Sequence, residues 1–316
     1  MDEIKDMGRR PRVNSRAKSR GKNIILNAND DLRLLKLHTY GHLPVPYLHA
    51  FTRDSNKSLR YVRQRLNTVR HEEALIFEPM QQLDTSAFRG NTLIYGLHPK
   101  GEEYLKSKGL YSLFAPVVGE NQLWIHDFTA SCVCASLELA APEGYTYQSQ
   151  PVVLDQYNAC LSFPVSFTEP GGKNITIDLK PDRMGQINTN IGKSILVFLE
   201  VERSKKQHQY RRGYKTTERN GIQYYNFIAR RQYMEYFGKK SDMGAMTLFL
   251  YWDAGTMMGA IDFLKKVVPN GTCKFMLFKY LPNIKNHNFK PPPILKNLWD
   301  EPWLRIGHPP IRLTEL

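Results

Sequence analysis

NITIDLKPDRMGQINTNIGKSILVFLEVERSKK, residues 174–206, holds two apolar segments that each run into carboxylates. In the first, Ile175, Ile177 and Leu179 alternate with polar residues before Pro181-Asp182, the pattern of a strand with one covered face. The second, Ile195 to Val201, is apolar without a break, as in a strand covered on both faces, and ends Glu200-Val201-Glu202-Arg203. Period-two geometry sets Glu200 and Glu202 on one face of that strand and Val201 on the other. As neighbouring strands of a hairpin, the two segments bring Asp182 to Glu200. Asp182, Glu200 and Glu202, with Arg203 beside them, are therefore the leading candidates for a site.

The chain around this stretch is long enough for two cores, with 316 residues of which 41% are apolar. Forty-four Lys and Arg against 30 Asp and Glu leave a net charge of +14, a surplus that points to polyanions such as nucleic acid. Cys132, Cys134, Cys160 and Cys273 have no paired CxxC spacing, which argues against structural zinc and for a reducing cytoplasm. With no secretory signal and no apolar run of membrane length, a cytoplasmic protein without a membrane span is expected.

Residues 1–23 are a basic arm with almost nothing to form a core, either lying along phosphates or simply solvated. Over 24–110, Asn29 and Asp30 are candidate caps of a first helix stopped by Gly41, Pro44 and Pro46 begin a second, and Ser55 caps a third running to about His71. In the third helix Leu59, Val62, Leu66 and Val69 form the buried stripe, opposite Lys57, Arg60, Tyr61, Gln64 and Thr68. Short apolar segments at 74–77 and 92–97 make a two-stranded wing with Arg89 at its tip, and HPKGEEYLKSKG closes the domain as a helix. This order reads as a winged helix-turn-helix, with Arg60 and Gln64 as base contacts, Lys57 on phosphate and Tyr61 beside them, unless the same surface serves protein contacts.

Residues 111–122 are a linker, and a second domain spans 123–281. It opens on a buried helix carrying His126, Asp127 and Glu138; Asp127 complements the helix dipole, and Glu138 either faces inward or is solvated. A short strand at Val152–Leu154 and a segment over 161–167 precede the central stretch. Lys205, Lys206, Arg211 and Arg212 then mark a basic loop, and the helix GIQYYNFIARRQYMEYFG carries Arg230 and Arg231 in its middle. Basic groups interleaved with tyrosines suit a strand-binding surface, although a core stripe explains some of the rings equally well. The remaining order of strands and helices predicts an α/β fold with a mixed sheet. From Pro282 to 316 a Pro-rich tail wraps the body or a partner.

The order of Glu138 on a helix, Pro181-Asp182 at a strand end, Glu200-x-Glu202 on the next strand and a Tyr- and Arg-bearing helix resembles the PD-(D/E)xK restriction-endonuclease-like core. Coupled to a winged helix, it further resembles the replication-relaxation family and the MOBC-type plasmid relaxases, over about residues 27–280. The resemblance implies a DNA relaxase or nickase that binds duplex origin DNA, and possible single strands, together with relaxosome or replication proteins. Cleavage would use Mg²⁺ or Mn²⁺ held by Asp182 and Glu200, with Glu138 in support. At the third motif position the family has Lys and this chain has Glu202, so Arg203, Lys205 or Arg230 would have to supply the cation. The alternative is a non-catalytic DNA-binding replication or transcription regulator with a degenerate nuclease core.

Overall fold

Asn27 opens the first helix of the computed structural model, α1 (Ala28–Tyr40), through a capping box: its side chain accepts the Asp30 N–H, and Asp30 accepts the Asn27 N–H in return. The cap thus lies ahead of Asn29 and Asp30, and Asp30 is the third residue of the helix, buried at 2% exposure. The structure describes residues 21, 24–52, 57–79, 93–116, 124–168, 172–202, 216–238, 243–281 and 291–316. They divide into two units, one of Met1–Tyr111, Val117–Ser131 and Asn286–Pro293, the other of Ser112–Pro116, Cys132–Lys285 and Ile294–Leu316.

In the first unit α1 is followed by β1 (Leu43–Pro44), α2 (Val45–Phe51), α3 (Leu59–Thr68), β2 (Ile76–Phe77), β3 (Ile94–Leu97) and α4 (Pro99–Ser107). The sheet has a third strand beyond the two expected, because Leu43 and Pro44 pair with Tyr95 and Ile94 while β2 takes the other side of β3. Ser58, which accepts the Tyr61 N–H, caps α3; Ser55 and Arg89 lie outside the described residues. Val62, Leu66 and Val69 are buried as their spacing demands, but Leu59 is 48% exposed because it sits in the uncovered first turn. Arg65, on the flank of the same helix, is bonded to Asp30 through Nε (3.1 Å) and Nη2 (2.5 Å), and Arg33 reaches Asp30 at 3.3 Å. This buried ion cluster ties α3 to the start of α1.

The second part of the chain runs α5 (Trp124–Leu139), β4 (Thr146–Ser149), α6 (Gln150–Tyr157), β5 (Phe163–Thr168), β6 (Asn174–Leu179), β7 (Arg183–Asn188), β8 (Ser194–Glu202), α7 (Thr217–Ala229), α8 (Met234–Phe237), β9 (Met243–Tyr251), α9 (Ala254–Val267), β10 (Cys273–Tyr280), α10 (Asn297–Asp300), β11 (Trp303–Ile306) and β12 (His308–Ile311). Seven strands form one mixed sheet in the order β12-β11-β10-β9-β8-β7-β4, parallel across β8, β9 and β10 and antiparallel elsewhere. The uninterrupted apolar run of β8 follows from its central position, with Leu196 and Phe198 buried on one face and Val197, Leu199 and Val201 on the other.

Three expectations are corrected here. The strand beside β8 is not the alternating segment at 175–179 but β7, whose apolar signal is diluted by Gly185, Gln186 and Asn188. The alternating segment, β6, pairs instead with β5 in a separate two-stranded sheet, with Phe163 of β5 stacked on Phe227 of α7 at 5.2 Å. Val152–Leu154 is helical, with neighbouring Val153 and Leu154 both buried where a strand would alternate. The helix expected to carry Arg230 and Arg231 in its middle stops at Ala229, and Arg231 (φ +54°) turns the chain before α8.

Helices α7 and α9 approach closely at Gly221, where an added Cβ would meet Leu264 Cδ2 at 2.2 Å. The C-terminal tail is more regular than its prolines suggest, since β11 and β12 extend the sheet and Trp299 and Trp303 are buried. It is anchored by Glu301, 3.1 Å from the buried Lys279 ammonium, which also lies 5.6 Å from the Trp303 ring centre. Among the described residues, no helix is long and apolar enough to cross a membrane.

Candidate functional site

Asp182 immediately precedes β7, and its backbone N–H donates to Leu199 O at 3.0 Å. Its Oδ2 then accepts the Val201 N–H at 2.7 Å, so this carboxylate is fastened to β8 between Glu200 and Glu202. Asp182 thus reaches β8 from the start of β7 and not from the end of the alternating segment. Glu200 is fully buried and Glu202 is 6% exposed. Tyr224 of α7 donates its hydroxyl to Glu200 Oε1 at 2.6 Å, and Tyr251 stands opposite Glu202 in the β8–β9 register. A buried carboxylate needs such donors, because desolvation penalises its charged form.

The two phenols register the charge around them. Burial, above all, pushes Tyr224 well above the ordinary tyrosine range, and Glu200, Asp182 and Glu202 raise it further. Tyr251 is likewise pushed well up by burial, then by Glu202 and Glu200. In unit 1, Tyr104, which donates to Asp31 at 2.6 Å, is pushed up to about 12 by desolvation and then by that bond. A raised folded-state pKa means that the stabilisation is complete below the ordinary value near 10 and is lost as pH rises through the folded value. In an absorbance titration, Tyr104 should therefore ionise near pH 12, and Tyr224 and Tyr251 only on alkaline unfolding. Ionisation of all 17 tyrosines in one step near pH 10 would contradict these assignments.

Glu138 is half-buried near the end of α5 and acts on Tyr147, whose ring shares a sheet face with Gly185 and Val197, opposite to the face of Glu200. Asp182, Glu200 and Glu202 offer only oxygen donors, a set suited to a hard divalent cation. Among the described residues, no three His, Cys, Asp or Glu side chains are arranged as a ready-made metal cage. Asp182 and Glu200 are the two carboxylates from which a Mg²⁺-type site, which needs only one or two, could be built.

Arg60, Tyr61 and Gln64 of α3 are exposed, as is Lys57 just ahead of the helix cap, and the Lys57 ammonium lies 5.7 Å from the Tyr61 ring centre. Arg63 is exposed as well, three residues after Arg60, a spacing that sets the two on one side of the helix. Arg230 and Arg231 are exposed just beyond the end of α7. Arg203, Lys205, Lys206, Arg211 and Arg212 lie outside the described residues. In the first turn of α5, Asp127 accepts from or faces His126 Nδ1 at 3.0 Å, a local pair at a helix N-terminus. Compared with protein-family models, curated proteins and solved structures, the chain matches none.

Proposed function

We propose that this chain is a DNA relaxase or nickase: it binds an origin-like site and cuts one strand by divalent-cation-dependent phosphodiester chemistry, in plasmid mobilisation or replication. The observation that carries the reading is the Asp182 carboxylate, held 2.7 Å from the Val201 N–H between the buried Glu200 and Glu202. A strand-start aspartate beside a strand-end glutamate, on adjacent antiparallel strands with a parallel strand beyond, supports a restriction-endonuclease-like core. Mg²⁺ or Mn²⁺ held by Asp182 and Glu200 would polarise a phosphate oxygen and acidify a water. Tyr224 fixes the Glu200 carboxylate through its hydroxyl, and the Val201 N–H fixes that of Asp182.

For recognition, three helices, a three-stranded sheet and a closing helix support a winged helix-turn-helix reading, with α3 as the element that enters a major groove. Arg60→Ala and Gln64→Ala are each expected to weaken cognate duplex binding by about 1–3 kcal/mol, and random duplex by much less. Competition binding at fixed salt measures the difference; equal losses on both DNAs would remove α3 as the base reader. Glu202, a buried carboxylate where the family has a lysine, favours a second reading: a regulator that binds DNA through α3 and does not cut it. Conversion of supercoiled DNA to open circles separates the two.

A further inference from the structure

We propose that a groove in the second unit, on the β5–β6 side of α7, is a binding site for single-stranded nucleic acid. Two adjoining concavities of about 440 and 320 Å³ share one lining residue, Arg230. The larger also takes Tyr225 and Lys266; the smaller is edged by Ser166, Asn174 and Thr176 of the two-stranded sheet. Arg230 and Lys266 are exposed, and among the described residues no ion pair or side-chain hydrogen bond engages either cation.

Each part of the groove suits one part of a nucleotide chain. The two cations offer charge for successive phosphates. Tyr225 is half-buried against Phe275, with ring centres 5.7 Å apart, so its ring is already fixed and stacking a base on it orders little more. Along the sheet edge, Ser166 Oγ lies 2.9 Å from Thr176 Oγ1, and Thr168 donates to Asn174 Oδ1 at 2.8 Å, a polar row for sugar and phosphate oxygens. Glu218 also lines the larger concavity, from the first turn of α7, and directs phosphates toward Arg230 and Lys266 instead of that end. Concavities of this volume take single nucleotide units and not a duplex. The ring distinguishes a nucleic acid from an acidic peptide, for which charge alone would suffice. The proposal goes beyond the cleavage reading and does not depend on it.

The test is fluorescence anisotropy of the full chain in EDTA, with a labelled mixed-sequence DNA strand of about twelve nucleotides and the matching duplex. The double variant Arg230→Gln/Lys266→Gln should bind the strand at least about tenfold more weakly, with a salt slope shallower by about 0.7 per cation removed. Duplex affinity should not change. Tyr225→Leu should cost the strand roughly tenfold and Tyr225→Phe almost nothing, which separates stacking from loss of fold. An unchanged strand affinity, an equal loss on strand and duplex, or equal competition by a polyglutamate peptide would overturn the site. Cleavage is silent in EDTA, so an absence of nicking activity leaves this result untouched.

Discussion

Asp30→Ala is expected to destabilise the first unit by about 3–5 kcal/mol, the scale for breaking a buried ion pair from one side. Asp30 is 2% exposed and takes three bonds from Arg65, whose Nε reaches both carboxylate oxygens, and one from Arg33, while also receiving the Asn27 N–H that closes the cap of α1. The bond to Asp30 is the main reason that the Arg65 pKa is raised. Removing the carboxylate strands buried guanidinium charge and opens the cap together. Replacing both members, as Asp30→Ala/Arg65→Met, should cost less than the sum of the single changes. Urea unfolding measures both, and a loss below about 1 kcal/mol for Asp30→Ala would mean that the cluster carries no net stability.

The second large effect concerns Asp182, and the choice of replacement matters. Alanine would remove the acceptor of the Val201 N–H inside β8, at a cost of about 1–3 kcal/mol unrelated to any cation. Asparagine keeps an oxygen there and removes only the charge. With Mn²⁺ at about a hundred times its dissociation constant, the wild type should gain about 2.7 kcal/mol of stability, and Asp182→Asn almost none. Thermal unfolding with and without Mn²⁺ reads this directly. Equal shifts in both proteins would place the cation elsewhere.

Much of this architecture was legible because apolar periodicity reports burial. The continuous run of β8, the spacing of Val62, Leu66 and Val69 and the stop at Gly41 all matched the faces they predicted. The strand β7 was hidden because its inner positions include Gly185 and Gln186, which carry no apolar signal although both are buried. Gly185 is needed there because Tyr147 packs against its backbone, where a Cβ would lie 2.4 Å from the ring. Such close approach comes from the fold and leaves no local pattern. The same holds for the site: Asp182 and Glu200 were visible as charges ending apolar segments, but nothing local announced Tyr224, 24 residues from Glu200, as its hydroxyl donor. Glu138 shows the converse, since a carboxylate within an apolar helix gives no sign of which sheet face it will reach.

The most direct measurement is the conversion of supercoiled plasmid carrying the candidate origin, incubated with the purified full chain and Mg²⁺ or Mn²⁺ and resolved on a gel. The expected result is open circles from the wild type, none in EDTA, and at least about a hundredfold slower conversion by Asp182→Asn, which loses a metal ligand where even outer-shell losses cost 10–100-fold. Binding of the plasmid without open circles in either metal, or conversion by Asp182→Asn at the wild-type rate, would contradict it. In the first case Asp182, Glu200 and Glu202 would be structural carboxylates of a protein that binds DNA without cutting it; in the second, cutting would not depend on the Asp182 carboxylate.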